Sequence, residues 1–318
     1  MSVEITKNQV PAASGPSLWQ RTKVDFQRNR ALYLMVLPVV AYYIIFHYLP
    51  MYGAVIAFKN FSPMKGIFGS PWVGFENFIE FFNGYYFWRI LKNTLVISVT
   101  ELIFAFPAPI ILALLINELK NKIFTRTVQT ITYMPHFISL VVICGMIKDF
   151  TMDTGVVNVF LSYFGWQPIT MLNKPELFVP LYVISDIWQQ VGWGSIIYLA
   201  ALSGIDQQLY EAAKIDGAGR FKQTLYVTLP GILPTIIVLL ILRMGRLLNV
   251  GFEKIILLYN PAIYQTADVI SSFVYRKGLL EFDWSFSAAV GLFNSAINFA
   301  LLLSANWISR RVQGSSLW

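Results

Sequence analysis

Residues 211–234 read EAAKIDGAGRFKQTLYVTLPGILP, a mildly charged, helix-forming island between two long apolar runs. Glu211, Ala212, Ala213, Lys214 and Ile215 favour a helix, and Asp216 with Gly217 breaks it. The residues after the break predict a second short helix over 218–228. There Phe221, Leu225 and Leu229 recur at i, i+4 and i+8 and give one apolar stripe. Pro230 then opens the next apolar helix, where a missing N–H costs nothing. Two alanines beside a glutamate, followed by a glycine turn, let another protein approach this backbone closely. A lipid-facing connection has no use for that arrangement.

The surrounding composition is that of a membrane protein. Charged residues are 13% of the 318, about half the globular norm of ~25%. Hydrophobic residues are 56% and the mean hydropathy is +0.57. Apolar runs of spanning length cover residues 31–49, 94–116, 128–147, 177–202, 231–249 and 287–308. Each can cross a hydrocarbon core of ~30 Å at ~1.5 Å per residue. Backbone groups in lipid must be satisfied within the span, so these runs predict helices. The fold class expected is therefore an all-α membrane protein of six transmembrane helices. The first apolar run is too long for the core of a cleavable leader. Single Cys144 excludes an internal disulfide and reads as a small core residue.

The net charge of +7 suggests nucleic acid only until the charges are placed. With the N-terminus inside, the inner segments 1–30, 117–127, 204–229 and 309–318 hold thirteen Lys and Arg, against eight in the longer outer segments. That asymmetry follows the positive-inside rule. It puts residues 204–229 and both termini in the cytoplasm. Residues 1–30 form a polar cytoplasmic segment with a short amphipathic stretch near 18–26 at the membrane surface. Residues 31–309 form the membrane domain and 310–318 a cytoplasmic tail.

The pattern E-A-A, D-G-A, then L-P resembles the cytoplasmic coupling loop of permease subunits of ATP-binding-cassette importers. Glu211, Ala212, Ala213, Asp216, Gly217, Ala218, Leu229 and Pro230 stand at its spacing, with Phe221 on the apolar stripe; Val227 replaces the usual isoleucine. Trp72–Phe78 (WVGFENF), Asn93-Thr94, Tyr133-Met134-Pro135-His136, and Gly155 with Asn158 are similar to the sugar-importer group, best to its oligosaccharide branch. The resemblance implies a type I importer core, a loop that docks into a groove of the ATPase, and a related, non-identical second permease. It also implies two ATPase subunits that bind ATP-Mg, and an extracytoplasmic sugar-binding lipoprotein. Membrane lipid is the remaining partner, and nucleic acid is not one.

Enzyme chemistry is not legible. No glycine is followed by lysine, so there is no P-loop and ATP must be hydrolysed elsewhere. His47 and His136 lie on different runs and make no metal set. No cofactor is expected. Ionisable groups inside spans point to function by default. Glu101 and Asp186 lie ~10–14 Å below the outer ends of their spans, and Arg243 reaches a similar level. Opposite charges at one depth suggest a buried pair or network. Arg246, three residues on, faces nearly the same way as Arg243, and the two guanidiniums are candidates on the substrate path for the carboxylates of acidic oligosaccharides. Trp188, Gln189, Gln190 and Trp193 offer aromatic faces for sugar rings and amides for hydroxyls. Asn249 and Asn298 suit either the substrate path or a helix–helix hydrogen bond. The rival class is an ion-coupled secondary transporter using Glu101 or Asp186, but no inverted repeat is visible.

Overall fold

Helices dominate because every spanning backbone must bond within itself. The computed structural model describes residues 26–313, so most of the surface stretch near 18–26 and the tail past 313 lie outside the described residues. Among those residues the sole extended pairing is an isolated bridge between Lys59 and Trp72. The chain divides at Val55 into two compact units. Most of helix α1 (Arg30–Phe58) belongs to the first.

The second unit begins with α2 (Glu76–Asn83) and α3 (Phe87–Asn117), followed by α4 (Lys122–Phe137) and α5 (Leu140–Ser162). Then come α6 (Pro175–Ser203), α7 (Gln207–Ile215), α8 (Arg220–Met244) and α9 (Phe252–Leu258). Short α10 (Ile270–Tyr275) precedes the closing α11 (Trp284–Gln313).

Among the described residues, α1, α3, α8 and α11 are long and apolar enough to cross a membrane, and the bent pair α4–α5 makes a fifth. The fourth expected span, α6, has the length at 29 residues. It falls outside that set because Asp186, Gln189, Gln190 and neighbouring aromatics lower its apolarity. The third expected span is not straight. α4 and α5 meet at 100°. Pro135 interrupts the ladder, and the Ser139 hydroxyl caps α5 by accepting from Val142 N–H.

Two boundaries in the quoted stretch also differ. The second short helix is not separate: Arg220 to Met244 is continuous, so Pro230 lies within a helix. A π turn at Thr224–Thr228 makes room for its ring. The fifth expected span, 231–249, ends early at Met244. Arg246 N–H donates to the Arg243 carbonyl at 3.0 Å, so Arg246 sits in the turn just beyond the helix.

α6 is the axis of the second unit. Its N-terminal half packs Phe178, Tyr182 and Val183 with Ile97 of α3, Ile143 and Cys144 of α5, and Ile255 and Leu258 of α9. Its other half packs Tyr198 and Leu202 with Ile110 and Ala113 of α3 and Ile232 of α8. A third cluster joins Phe81, Phe87, Ile90, Phe273, Phe286 and Val290. In lipid such contacts hold by close fit rather than by escape from water. Gly192 shows how close: a Cβ there would overlap the Thr132 carbonyl of α4.

Gly192→Val should therefore cost on the order of 1–3 kcal/mol through overpacking. Gly145→Ala, where a Cβ meets nothing within 4 Å, should be near neutral. Equilibrium unfolding in mixed micelles reads both.

Candidate functional site

Where α3, α6 and the end of α8 diverge they leave a cavity of ≈ 650 Å³. Glu101, Asp186, Gln190, Trp193, Arg243, Arg246 and Asn249 all border it. A second cavity of ≈ 400 Å³ shares Tyr182, Asp186, Gln190 and Gly251 with it and adds Gln189, Glu253 and Lys254. Trp188 borders neither and lies 44% exposed. Of the residues expected on the substrate path, Trp193, Arg243, Arg246 and Asn249 thus meet in one place, Gln189 is next door, and Trp188 borders neither cavity.

The charges pair across helices. Arg243 Nη2 on α8 donates to Glu101 Oε2 on α3 at 2.5 Å. Asp186 does not join that pair, contrary to the expectation of a shared network with Arg243. Its partner is Lys254 of α9, whose Nζ lies 3.6 Å from Oδ1. Lys254 also donates to the Tyr182 carbonyl at 3.1 Å and stands 4.6 Å from the Tyr182 ring centroid. Sequence reasoning missed Lys254 because it lies in no long apolar run and reads as an outer-loop cation. In the fold it is 3% exposed. Its flanks, Phe252 and Ile255-Ile256, were the available signal.

Arg246 is different. It is exposed, and no carboxylate lies within ion-pair distance of it among the described residues. The larger cavity is therefore bordered by the Arg243–Glu101 pair, by Asp186, which Lys254 cancels from the smaller cavity, and by the unpaired guanidinium of Arg246. Glu253 borders only the smaller cavity.

Trp193 is held in a fixed pose. His136 stacks on it with centroids 4.5 Å apart and planes 2° apart. Gln190 Oε1 in turn accepts from His136 Nδ1 at 3.0 Å. His136 is thus a positioning group for Trp193, a role that neither its place in the Tyr133–His136 stretch nor its dismissal as a metal ligand announces. Asn249 Oδ1 accepts from Asn294 at 2.7 Å and Asn298 at 3.1 Å, while Asn298 Oδ1 accepts from Leu248 N–H. These amides pin the turn after α8 to α11.

The EAA segment forms α7, capped by Asp206, whose carboxylate accepts from Gln208 N–H at 2.9 Å. It ends in a Schellman motif: Ala218 N–H bonds Ala213 O and Gly217 N–H bonds Lys214 O. Gly217 has φ 76°, the left-handed position such an end requires. Glu211, Ala212, Asp216 and Pro230 are exposed, Ala213, Ala218 and Leu229 half-buried. Ile215 and Phe221 stand 86% and 81% exposed. Arg220 lies 3.7 Å from Glu118, so this loop and the α3–α4 connection share one end of the bundle. At the opposite end Asn93 and Thr94 bond residues 265–270, and Thr266 bonds Pro175. Among the described residues no His, Cys, Asp and Glu group is placed to hold a metal.

The family described as binding-protein-dependent transport system inner membrane component matches residues 105–314. The chain belongs to this family. It is 44% identical over 293 residues to Protein LplB of Bacillus subtilis (strain 168), covering 92% of each. It is 43% identical to the polygalacturonan/rhamnogalacturonan transport system permease protein YteP of the same strain, over 92% of this chain and 91% of that protein. Among solved structures, a chain of a bacterial ABC transporter involved in the import of the acidic polysaccharide alginate is 45% identical. It superposes with a TM-score of 0.86 over 92% of this chain and 99% of that one. A bacterial alginate ABC transporter in complex with an alginate pentasaccharide-bound periplasmic protein matches at 44% and 0.87, over 93% and 100%. As a permease-family member the chain is a multi-pass membrane transport component rather than an enzyme. The ion-coupled reading finds no support in these likenesses.

Breaking the cancelled pair from its two sides should not be symmetric. Glu101 has an 8% exposed side chain and Arg243 a 39% exposed one. Arg243→Gln should cost about 2–3 kcal/mol, below the ~3–5 of a fully buried pair because the arginine's side of the cavity is open. Glu101→Gln should cost about 1 kcal/mol, since the freed guanidinium can reach the cavity. The double substitution should cost less than the sum, read by unfolding in mixed micelles.

Proposed function

We propose that this chain is the transmembrane permease subunit of an ATP-driven importer that carries oligosaccharides, acidic ones included, across the cytoplasmic membrane by alternating access. The observation that carries the reading is the polar cavity: a stacked tryptophan, amides, and one uncancelled arginine among charges that otherwise pair. An aromatic face suits the apolar C–H groups of a sugar ring, and a free guanidinium suits a uronate carboxylate, which it meets with two charge-assisted bonds. The names of the relatives, which concern pectin-type polymers and alginate, point the same way.

In this reading six helices cross the membrane: α1, α3, the bent α4–α5, α6, α8 and α11, with both termini cytoplasmic. Residues 204–229 then face the cytoplasm, and Ile215 and Phe221 become apolar anchors for the ATPase groove. The working assembly contains a second, non-identical permease, two ATPases that bind ATP-Mg, and an extracytoplasmic sugar-binding lipoprotein. ATP favours one state of the assembly by its differential affinity, and the cavity changes the side it opens to.

Uptake of charged and neutral oligosaccharides of equal length tests the substrate side. Arg246→Gln should lower transport of the charged series about tenfold, the effect of one lost charge-assisted contact, and spare the neutral series. Equal loss of both, or no loss, would falsify the acidic-cargo reading. The docking side is tested separately. Gly217→Val forces a β-branched residue to positive φ, and Glu211→Lys reverses a charge on the exposed face of α7. Both should abolish transport and substrate-stimulated ATP hydrolysis while the subunit stays in the membrane at normal level. Normal transport in both would reduce the loop to a connector.

A further inference from the structure

A separate concavity of ≈ 430 Å³ lies at the N-terminal end of α3 and takes no part in the cavity above. Trp88, Arg89, Lys92, Val96, Gln265 and Thr266 border it, and no carboxylate does. Its amide is already committed: Asn93 Nδ2 donates to the Gln265 and Asp268 carbonyls, both at 2.9 Å.

The charge behind this wall is not balanced. Asp268 is fully buried and accepts from Arg89 Nη2 at 3.2 Å and from both terminal nitrogens of Arg276 at 3.1 and 2.7 Å. Two guanidiniums thus share one carboxylate. Arg89 Nε is buried behind the concavity and has no acceptor, so the Asp268 carboxylate leaves this guanidinium incompletely met. Lys92 adds a further charge: it is exposed and has no ion-pair partner among the described residues. A group with acceptor oxygens and negative charge satisfies all three features at once.

What lies along the helix from Lys92 narrows the chemistry. Leu95, Val96, Val99 and Ile103 follow it at i+3, i+4, i+7 and i+11, one face of the helix, and are 41–57% exposed. Trp88, one turn the other way, is 74% exposed, as an interfacial tryptophan is. A soluble anion accounts for the cations but leaves the apolar stripe unexplained. An anion joined to hydrocarbon accounts for both, in the order in which the helix presents them.

We propose that this concavity binds the phosphate of an anionic phospholipid, with Lys92 and Arg89 on the headgroup and an acyl chain along Val99 and Ile103. The site is distinct from the transport cavity, because Glu101, Ala105 and Pro109 on another face of α3 border the latter.

The test uses the complete importer complex, purified and equilibrated with phosphatidylglycerol and phosphatidylcholine, with retained lipid counted by native mass spectrometry. Wild type should retain phosphatidylglycerol in preference. Lys92→Gln should lower that preference about fivefold, the effect of one surface cation on an anionic lipid. Lys92→Arg should restore it, and Lys65→Gln, an exposed lysine away from the concavity, should leave it unchanged. Equal thermal midpoints of the variants exclude misfolding as the cause. The proposal is overturned if Lys92→Gln retains phosphatidylglycerol like wild type. It is also overturned if free glycerol phosphate displaces the lipid at equal concentration, or if Lys92 crosslinks to the partner permease in the complex.

Discussion

A charge held inside a membrane bundle has to be cancelled close by, because neither lipid nor a dry core will solvate it. That requirement fixes this structure in the middle. Glu101 on α3 needs a cation and finds Arg243 on α8; Asp186 on α6 needs one and finds Lys254 on α9. Four helices are drawn to one level, and their polar faces cannot then be closed with aliphatic side chains. The cavity is the space that remains. The same rule operates at the far end of α3, where buried Asp268 holds Arg89 and Arg276 and so fastens residues 264–276 to the start of the span.

Proline sets the second constraint. Pro50, Pro107 and Pro230 each follow a π turn by two residues: Ile44–Tyr48, Glu101–Ala105 and Thr224–Thr228. A proline ring collides with the carbonyl four residues earlier, and in each case that carbonyl lies inside the widened turn. The residue just before the proline bonds five back instead of four, as Phe106 N–H does to the Glu101 carbonyl at 3.0 Å. The helices stay continuous, at the expense of locally irregular turns. One of these turns begins at Glu101 itself.

Most of the architecture was open to a reader of the sequence, because apolar runs of spanning length admit little but helices. The break at Asp216-Gly217 was legible for the same reason that it exists: a left-handed residue is needed there, and glycine supplies it. The ends of the elements were less so. Treating Pro230 as a helix start follows from the ordinary rule, which a π turn circumvents and which no residue in the stretch announces. Arg246 read as one turn above Arg243 because the apolar run continues to 249, although the chain turns at Gly245. Lys254 was hidden altogether. Short helix α9 is buried only because α5, α6 and the 263–269 segment surround it, a tertiary fact with no periodicity to report it. His136 was noticed for the wrong chemistry, since its stacking on Trp193 depends on the 100° bend between α4 and α5.

Continuity along α8 bears on how a docked loop reaches the cavity. The helix runs from Arg220 to Met244, roughly 37 Å at 1.5 Å per residue, with the EAA segment before one end and Arg243 at the other. The loop is fastened to it: Tyr210 and Thr228 bond through their hydroxyls at 3.0 Å, and Gln223 Nε2 donates to the Ala218 carbonyl at 2.7 Å. In the proposed importer a push on α7 would arrive as a tilt of one helix, with no relay of small side-chain shifts needed. Glu101 stands on a different helix, so such a tilt acts on the Arg243–Glu101 contact directly. In the proposed importer, two ordinary carboxylate and guanidinium groups would serve as the latch. Their pairing holds one arrangement of α3 against α8, and parting them would expose both charges to the cavity they border.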